Sequence, residues 1–469
     1  MPHPPPEGRH RSLWLTEVLP DAPAQPALAG AHRADVAIVG GGFVGLWTAI
    51  RIKQHDPGCD VVVLERDICG GGASGRNGGM VLSWWPKLAS LVTLVGREEA
   101  LRLARASEAA IDELRAFCEG HEIDAQFRRG GFLWTATTPA QIGAWEGVLR
   151  LTETLGVDPL QRISGPEIAR RTGSPAHLAG VFERAAATVQ PASVVRGLRR
   201  VALALGVRIF ERTHVVRFSR ERPLAIRTDG DGLLAAEKLV VATNAWAAAL
   251  PELRRSLVVV SSDIVATAPI PDRLAQIGWA GGEGITDSQM MVNYYRTTLD
   301  GRIAFGKGTA EVGYAGRIGA NFDRSPRRTA MVTAELRRTY PALADVAVEH
   351  DWGGPIDRTP NSVPIVGHLG GRDHILYGVG WSGNGVGPSL VGSRILASLA
   401  LGIDDEWSRA ALVDRPHLQF PPEPIRFLGA QVVRRAVIRQ EAAERAQRSP
   451  GPVAARLAKL APAGLEDKG

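Results

Sequence analysis

Glycines at 40, 42 and 45, with Glu65 about twenty residues further on, are the first residues whose spacing could do chemistry. In such a pattern Gly40 permits a sharp turn and Gly42 lets the backbone approach a pyrophosphate. Gly45 lets a helix lie close on a strand. Phe43 and Val44 then open the helix, whose free N–H groups and positive dipole end suit phosphates. Glu65, followed by Arg66, is placed to accept hydrogen bonds from an adenosine ribose. The glycines alone say little. Their context says more: they follow an apolar run, Ala34–Val39, and open a helix with Leu46, Ala49, Ile50 and Ile52 on one side. A second apolar run, 60–64, ends at Glu65. This is a β-α-β unit for a dinucleotide, and at this point NAD and FAD are both open.

A second glycine-rich run, Gly70–Gly79, begins five residues past Glu65 and has no place in an NAD-dehydrogenase fingerprint. Ala73, Ser74, Asn77, Gly78 and Gly79 could offer backbone N–H groups and a hydroxyl to the pyrophosphate and the far half of the dinucleotide, and Arg76 adds positive charge. A third constellation is a hairpin. Asn293–Leu299 meets Arg302–Lys307 across Asp300-Gly301, a two-residue turn signal. In that register Tyr294 faces Lys307 and Arg296 faces Phe305, and all four share one face. An apolar core would not want Arg and Lys there. Either the face meets solvent, or it roofs a cavity with aromatic walls and cationic anchors, with Tyr294, Arg296 and Lys307 as catalytic candidates. Trp84, Trp85, Tyr295, Trp352 and Trp381 could line that cavity or belong to the core. Arg358 either anchors an acidic group of a substrate or pairs with Asp357.

These residues need elements to position them. The 469-residue chain is too long for one core, so two or three domains are expected. Its 45% hydrophobic and 22% charged content is that of a globular enzyme. The net charge of +6 comes from Arg interleaved with Asp and Glu, which argues against nucleic acid and allows an anionic substrate. Cys59, Cys69 and Cys118 show no metal spacing and cannot all pair, which suits a reducing cytoplasm. The N-terminus lacks a signal pattern, and no apolar run is long enough for a membrane span.

Along the chain, residues 91–180 read as helices with a strand near 131–135. A helix near 191–205 and strands at 207–217 and 239–243 precede β-rich sequence over 256–310. A final strand, 375–379, leads to a helix from about 388 to 401. The expected fold is α/β: a doubly wound, Rossmann-like nucleotide domain, discontinuous over 31–90, 187–255 and 350–405. A β-rich α+β substrate domain, 91–186 and 256–349, is inserted in it. Residues 1–30 read as a loosely packed arm anchored by Trp14 and Leu15. Residues 406–469 read as a basic tail with a surface or subunit-contact helix.

From Ser12 to about Leu401 the sequence resembles the D-amino-acid oxidase/glycine oxidase superfamily of FAD enzymes. Within it, the sequence is most similar to the γ-glutamylputrescine oxidoreductase branch. The run Ala73-Ser74-Gly75-Arg76-Asn77-Gly78-Gly79 carries this, with Val241–Ala245, Trp352–Pro355 and Gly380–Val386. The resemblance implies FAD, with Gly383, Asn384, Gly385 and Val386 at the flavin pyrimidine carbonyl. Thr243, Asn244 and Gly354 join the cofactor set. Val215 is at the adenine or is a plain core valine. Many relatives have His where Asn384 stands, and helix N-capping is its other reading. Attachment through Cys or His has no residue to use, so FAD is expected to be noncovalent. The implied reaction oxidises the C–N bond of an amine or amino acid to an imine, which water hydrolyses. Electrons then pass to oxygen or another acceptor. Some relatives carry an oxygen-promoting lysine over the flavin; Lys307 is the nearest candidate, although the register puts Ala304 at that position. A flavin-binding subunit without turnover is the other class of reading.

Overall fold

Val36 to Ile38 are fully enclosed because the strand that holds them, Ala31–Val39, lies in the middle of a sheet. The computed structural model describes residues 10–19 and 23–462. Ala31–Val39 pairs in parallel with Val61–Leu64 on one side and Leu233–Val241 on the other. The sheet continues through Ile375–Val379 and Ile365–His368 at one edge and Arg208–Phe210 at the other. Both of its faces are covered, so its strands read as unbroken apolar runs instead of alternating ones. Helices Phe43–His55 and Pro388–Leu401 pack against each other on one face and are buried along most of their length.

A second eight-stranded sheet runs in the order 348–358, 258–267, 303–307, 293–297, 284–287, 132–136, 179–183 and 161–164. Its pairings are antiparallel except that of Gly284–Asp287 with Phe132–Ala136. The α/β class with a dinucleotide sheet and a second mixed sheet therefore stands. One assignment shifts: residues 350–358, read with the nucleotide domain, are in the strand Val348–Arg358, which pairs with Val258–Thr267 in the second sheet. The Gly353-Gly354 step lies inside this strand, glycine being needed where other chain presses in. A Cβ on Gly353 would stand 2.6 Å from the Phe322 carbonyl oxygen.

The N-terminal arm is also less loose than its composition implies. The helix Leu13–Val18, capped by Ser12, buries Leu13, Trp14 and Leu15. Trp14 Nε1 donates to the Asn77 carbonyl at 2.9 Å, and Arg11 pairs with Asp67 at 2.6 Å. The arm thus clasps the 67–79 run; its residues 1–9 and 20–22 lie outside the described residues. A second tie is Glu211, enclosed between Arg196 and Arg199 at 3.0 Å each. Its oxygens also accept from the Cys69 and Gln25 N–H groups. Removing the carboxylate would leave two guanidinium groups buried without it. Glu211→Ala should therefore lose about 3–5 kcal/mol in denaturant titration; a loss below about 1 kcal/mol would show the cluster to be dispensable.

Candidate active site

A cavity of about 980 Å³ lies between the two sheets, at the upper end of the ~300–1,000 Å³ usual for small-molecule and cofactor sites. Its nucleotide side is lined by Gly40, Gly42, Phe43 and Val44, and by Glu65 and Arg66. Gly40 has φ +115°, and a Cβ there would lie 2.4 Å from the Ala242 carbonyl oxygen. Ser74 Oγ accepts from the Phe43 N–H at 2.8 Å, tying the second glycine run to the first helical turn. Glu65 accepts from the Gly41 and Asp67 N–H groups at 2.7 and 2.9 Å. Burial raises its carboxyl while those N–H groups lower it. Arg66 lies over the Trp246 ring at 4.5 Å, and Val215 lines the cavity nearby.

Ala73, Arg76, Asn77 and Gly78 also line the cavity, as do Thr243, Asn244 and Gly354. Asn244 has φ +48°, and its Oδ1 is buried with no hydrogen-bond partner among the described residues. Arg76 donates to the Gly71, Gly353 and His10 carbonyls and pairs with Asp323 at 3.3 Å. Its charge therefore fastens the loop as well as facing the cavity. Gly383, Asn384, Gly385 and Val386 close this end. Asn384 is not an N-cap. The helix begins at Pro388 with Gly387 as its cap, and the Asn384 amide donates to the Ser83 carbonyl at 3.0 Å. Asp357 supports the same loop by accepting from the Gly380 N–H, and burial pushes its carboxyl up to about 7.

Two glycines of the expected cofactor set do not line the cavity. Gly45 packs the helix on its strand, where a Cβ would lie 1.9 Å from the Gly40 carbonyl oxygen. Gly79, at φ +72°, would drive a Cβ to 2.2 Å from the Val189 oxygen.

The hairpin register is one residue away from the expected one. Thr298 N–H donates to Arg302 O and Gly301 N–H to Thr298 O, so the loop holds three residues, with Gly301 at φ +82°. Tyr294 consequently faces Gly306, Arg296 faces Ala304, and Asn293 faces Lys307. Gly306 makes room for Tyr294: a Cβ there would be 2.2 Å from the ring. Of the three catalytic candidates only Tyr294 lines the cavity, its hydroxyl 2.7 Å from Ser262 Oγ. Arg296 is buried under the 78–79 turn, donating to the Gly78 and Val189 carbonyls at 2.7 Å and lying 4.8 Å over Trp14. Burial pushes its guanidinium down to about 9. Lys307 is on the opposite face, its ammonium bonded to Met291 O at 2.7 Å and to Asn293 and Gln289.

Three aromatic candidates move to the core as well. Tyr295 stacks on Phe305 at 4.6 Å and bonds His177. Trp352 donates to the Arg76 carbonyl and meets Trp14 edge-on. Trp85 is buried with its indole N–H on Glu108. Trp84, Trp381 and Arg358 do line the cavity. Arg358 is half-buried and donates to Ser362 Oγ at 3.4 Å, and burial pushes it down to about 10. Ser262, Thr286 and Lys87 also line it and were not expected. Thr286 Oγ1 is buried with no hydrogen-bond partner among the described residues. The parity of the strands, once the hairpin loop is counted as three residues, is the signal that reaches Thr286, which pairs with Tyr294.

The sequence matches the profile of the DAO family, FAD dependent oxidoreductase, over residues 35–399. The chain belongs to this family. The chain is similar to "Probable oxidoreductase OrdL" of Haemophilus influenzae, 26% identical across 82% of this chain and 86% of that one. The gamma-glutamylputrescine oxidoreductase of Escherichia coli is 27% identical, across 82% and 88%. Among solved structures, glycine oxidase from Geobacillus kaustophilus superposes with a TM-score of 0.68 at 22% identity, covering 82% of this chain and all of that one. That likeness is one of fold.

The cofactor of the family is FAD, and the residues present fit it. The glycines at 40 and 42 leave room at the helix end where a pyrophosphate would sit, and Asn244 Oδ1 waits buried for a partner. Ser74→Ala would free the Phe43 N–H, a loss of about 0.5–1.5 kcal/mol. Titrating the apoprotein with FAD should show Kd rising about three- to tenfold, and an unchanged Kd would remove Ser74 from the cradle.

Proposed function

We propose that this flavoenzyme oxidises the C–N bond of an amine or amino acid that carries an anionic group, held by Arg358. The observation that carries this is the placement of a half-buried guanidinium on the cavity wall, in the same space as Tyr294, Trp84 and Trp381. FAD supplies the hydride acceptor. The chain supplies the rest. Arg358 fixes the acidic end by a planar fork of N–H donors. Tyr294 and Ser262 present hydroxyls, and Thr286 an unused one, to orient the amine. Indole walls exclude water and favour the neutral amine, so no dedicated base is required. The imine product then hydrolyses in water to a carbonyl compound. Gly40, Gly42, Phe43, Val44, Glu65, Arg66, Ser74, Asn77, Gly78, Asn244 and Gly383–Val386 hold FAD noncovalently in this reading; no cysteine lines the cavity. The three cysteines are buried and unbridged, which fits a cytoplasmic enzyme. Among the described residues no helix is long and apolar enough to cross a membrane.

The test is to purify the protein, record its visible spectrum, and add carboxylate-bearing amines without oxygen. Bleaching of the flavin by one of them supports the reading and names the substrate class. Readmitting air then separates an oxidase from a dehydrogenase with another acceptor. A yellow protein that none of them bleaches would count against amine oxidation and favour a flavin-binding subunit without turnover.

A further inference from the structure

The family match ends at residue 399, yet a residue of the tail reaches the wall of the cavity from behind. The tail helix Ile425–Arg445 docks through Ala436 and Val437 onto Met291. One turn further on, Glu441 is buried, with 4% of its surface exposed. Its Oε1 accepts from the Met291 N–H at 2.7 Å, and its Oε2 lies 3.8 Å from the Lys307 ammonium. Lys307 in turn gathers the segment 289–293 around itself, bonding Gln289, Met291 and Asn293. Asp287 completes the knot by accepting from the N–H groups of Gln289 and Asn293.

This knot stands directly behind residues that face the cavity. Val292 sits between Met291 and Asn293 and lines the cavity, and its carbonyl accepts from the Gly308 N–H at 2.9 Å. The Lys307 carbonyl accepts from Ser262 Oγ, the same oxygen that bonds the Tyr294 hydroxyl. A shift of Lys307 therefore moves Ser262, Tyr294 and Val292 together. Arg445, a turn beyond Glu441, adds a second tie by pairing with Glu335 at 2.9 Å.

We infer that Glu441 is a positioning residue for the substrate wall: the tail, outside the family core, clamps Met291 and Lys307 so that Val292, Ser262 and Tyr294 keep their places against the amine. The substrate side of this inference rests on the proposed function, but the clamp itself can be read without turnover. Glu441→Ala removes both the acceptor and the charge, whereas Glu441→Gln keeps an acceptor for Met291.

The experiment is hydrogen exchange on the full-length, FAD-loaded protein. In Glu441→Ala, exchange over 287–294 should rise about tenfold, with 36–45 unchanged. In Glu441→Gln the rise should be smaller, about threefold, because the Met291 bond survives. Exchange over 287–294 equal to wild type in Glu441→Ala overturns the inference. Should that variant fail to fold, Glu441→Gln decides alone by the same comparison. With a substrate in hand, both variants should raise KM while kcat stays within about twofold, since the reacting atoms are untouched. An equal fall in kcat and kcat/KM with KM unmoved would also overturn it. A wild-type protein that no amine reduces refutes the proposed function and leaves the exchange result to judge the clamp.

Discussion

Arg358→Ala raises KM for a carboxylate-bearing amine by about 30-fold or more, corresponding to the ~2–5 kcal/mol lost when one partner of a buried, hydrogen-bonded charge pair is truncated. The arginine stands at the end of the strand Val348–Arg358 and faces the cavity, where burial already pushes the guanidinium down to about 10. An anion entering there meets a charge in a medium that screens it poorly, so the pair is stronger than it would be in water. The Ala variant leaves the substrate's acidic group in the same cavity without its partner. The effect falls on binding, because that group lies away from the C–N bond. Amines without an acidic group should lose little, and that contrast separates an anchor from a general structural role. Arg358→Lys should recover only part of the loss, since a point charge does not reproduce the planar fork. The measurement is the anaerobic rate of flavin bleaching against substrate concentration, for acidic and neutral amines side by side. Equal KM values in wild type and Arg358→Ala would sink the assignment and move the search for an anchor to Lys87, which ends the turn Trp85–Lys87 and also lines the cavity.

What could be read in the sequence divides along a physical line. The nucleotide half is written in glycines and in one acidic residue at fixed spacing, because a phosphate site made of backbone requires residues without side chains at set points. Gly40, Gly42 and Glu65 line the cavity, and Gly45 packs the helix on its strand. The reacting half depends on strand parity, and parity depends on loop length. Reading Asp300-Gly301 as a two-residue turn, when Leu299 belongs to the loop too, exchanged the faces of Lys307 and Phe305. A slip of one residue reverses every side chain on a strand. Tyr294 lines the cavity and Lys307 does not for that reason alone. Charge misled as well: Arg296 reads as a ligand anchor because arginine is costly to bury, yet it is buried and satisfied by the backbone carbonyls of Gly78 and Val189. Where those carbonyls point is set by the tertiary fold and not by the sequence around Arg296. The tail's part in the wall had no sequence signal, since Glu441 meets Met291 across 150 residues of chain.

Gly45→Ala yields protein that does not hold FAD. Of the fingerprint glycines, this one is packed hardest: the added Cβ would come 1.9 Å from the Gly40 carbonyl oxygen and 3.2 Å from Ile38 Cγ2. Neither obstacle is a flexible side-chain tip. Gly40 is itself held at φ +115° with the Ala242 oxygen behind it, so the turn has no room to retreat. The helix Phe43–His55 must move off the strand, and its first-turn N–H groups, the ones that would meet a pyrophosphate, move with it. Overpacking typically costs about 1–3 kcal/mol, and a clash on the Gly40 backbone with the branched Ile38 side chain packed alongside belongs at or above the top of that range. FAD affinity should then fall by roughly 100-fold or more, enough for purification to strip the colour. Gly42→Ala is the internal comparison. Its Cβ would meet Ser74 Oγ at 2.8 Å, a hydroxyl that can turn aside, so the protein should stay folded and bind FAD more weakly. Flavin-to-protein absorbance ratios and thermal unfolding of the two variants give the answer. If Gly45→Ala stays yellow at wild-type stoichiometry and melts where wild type does, the close helix–strand contact is not what sets the cofactor site, and the cavity's wider walls must hold FAD without it.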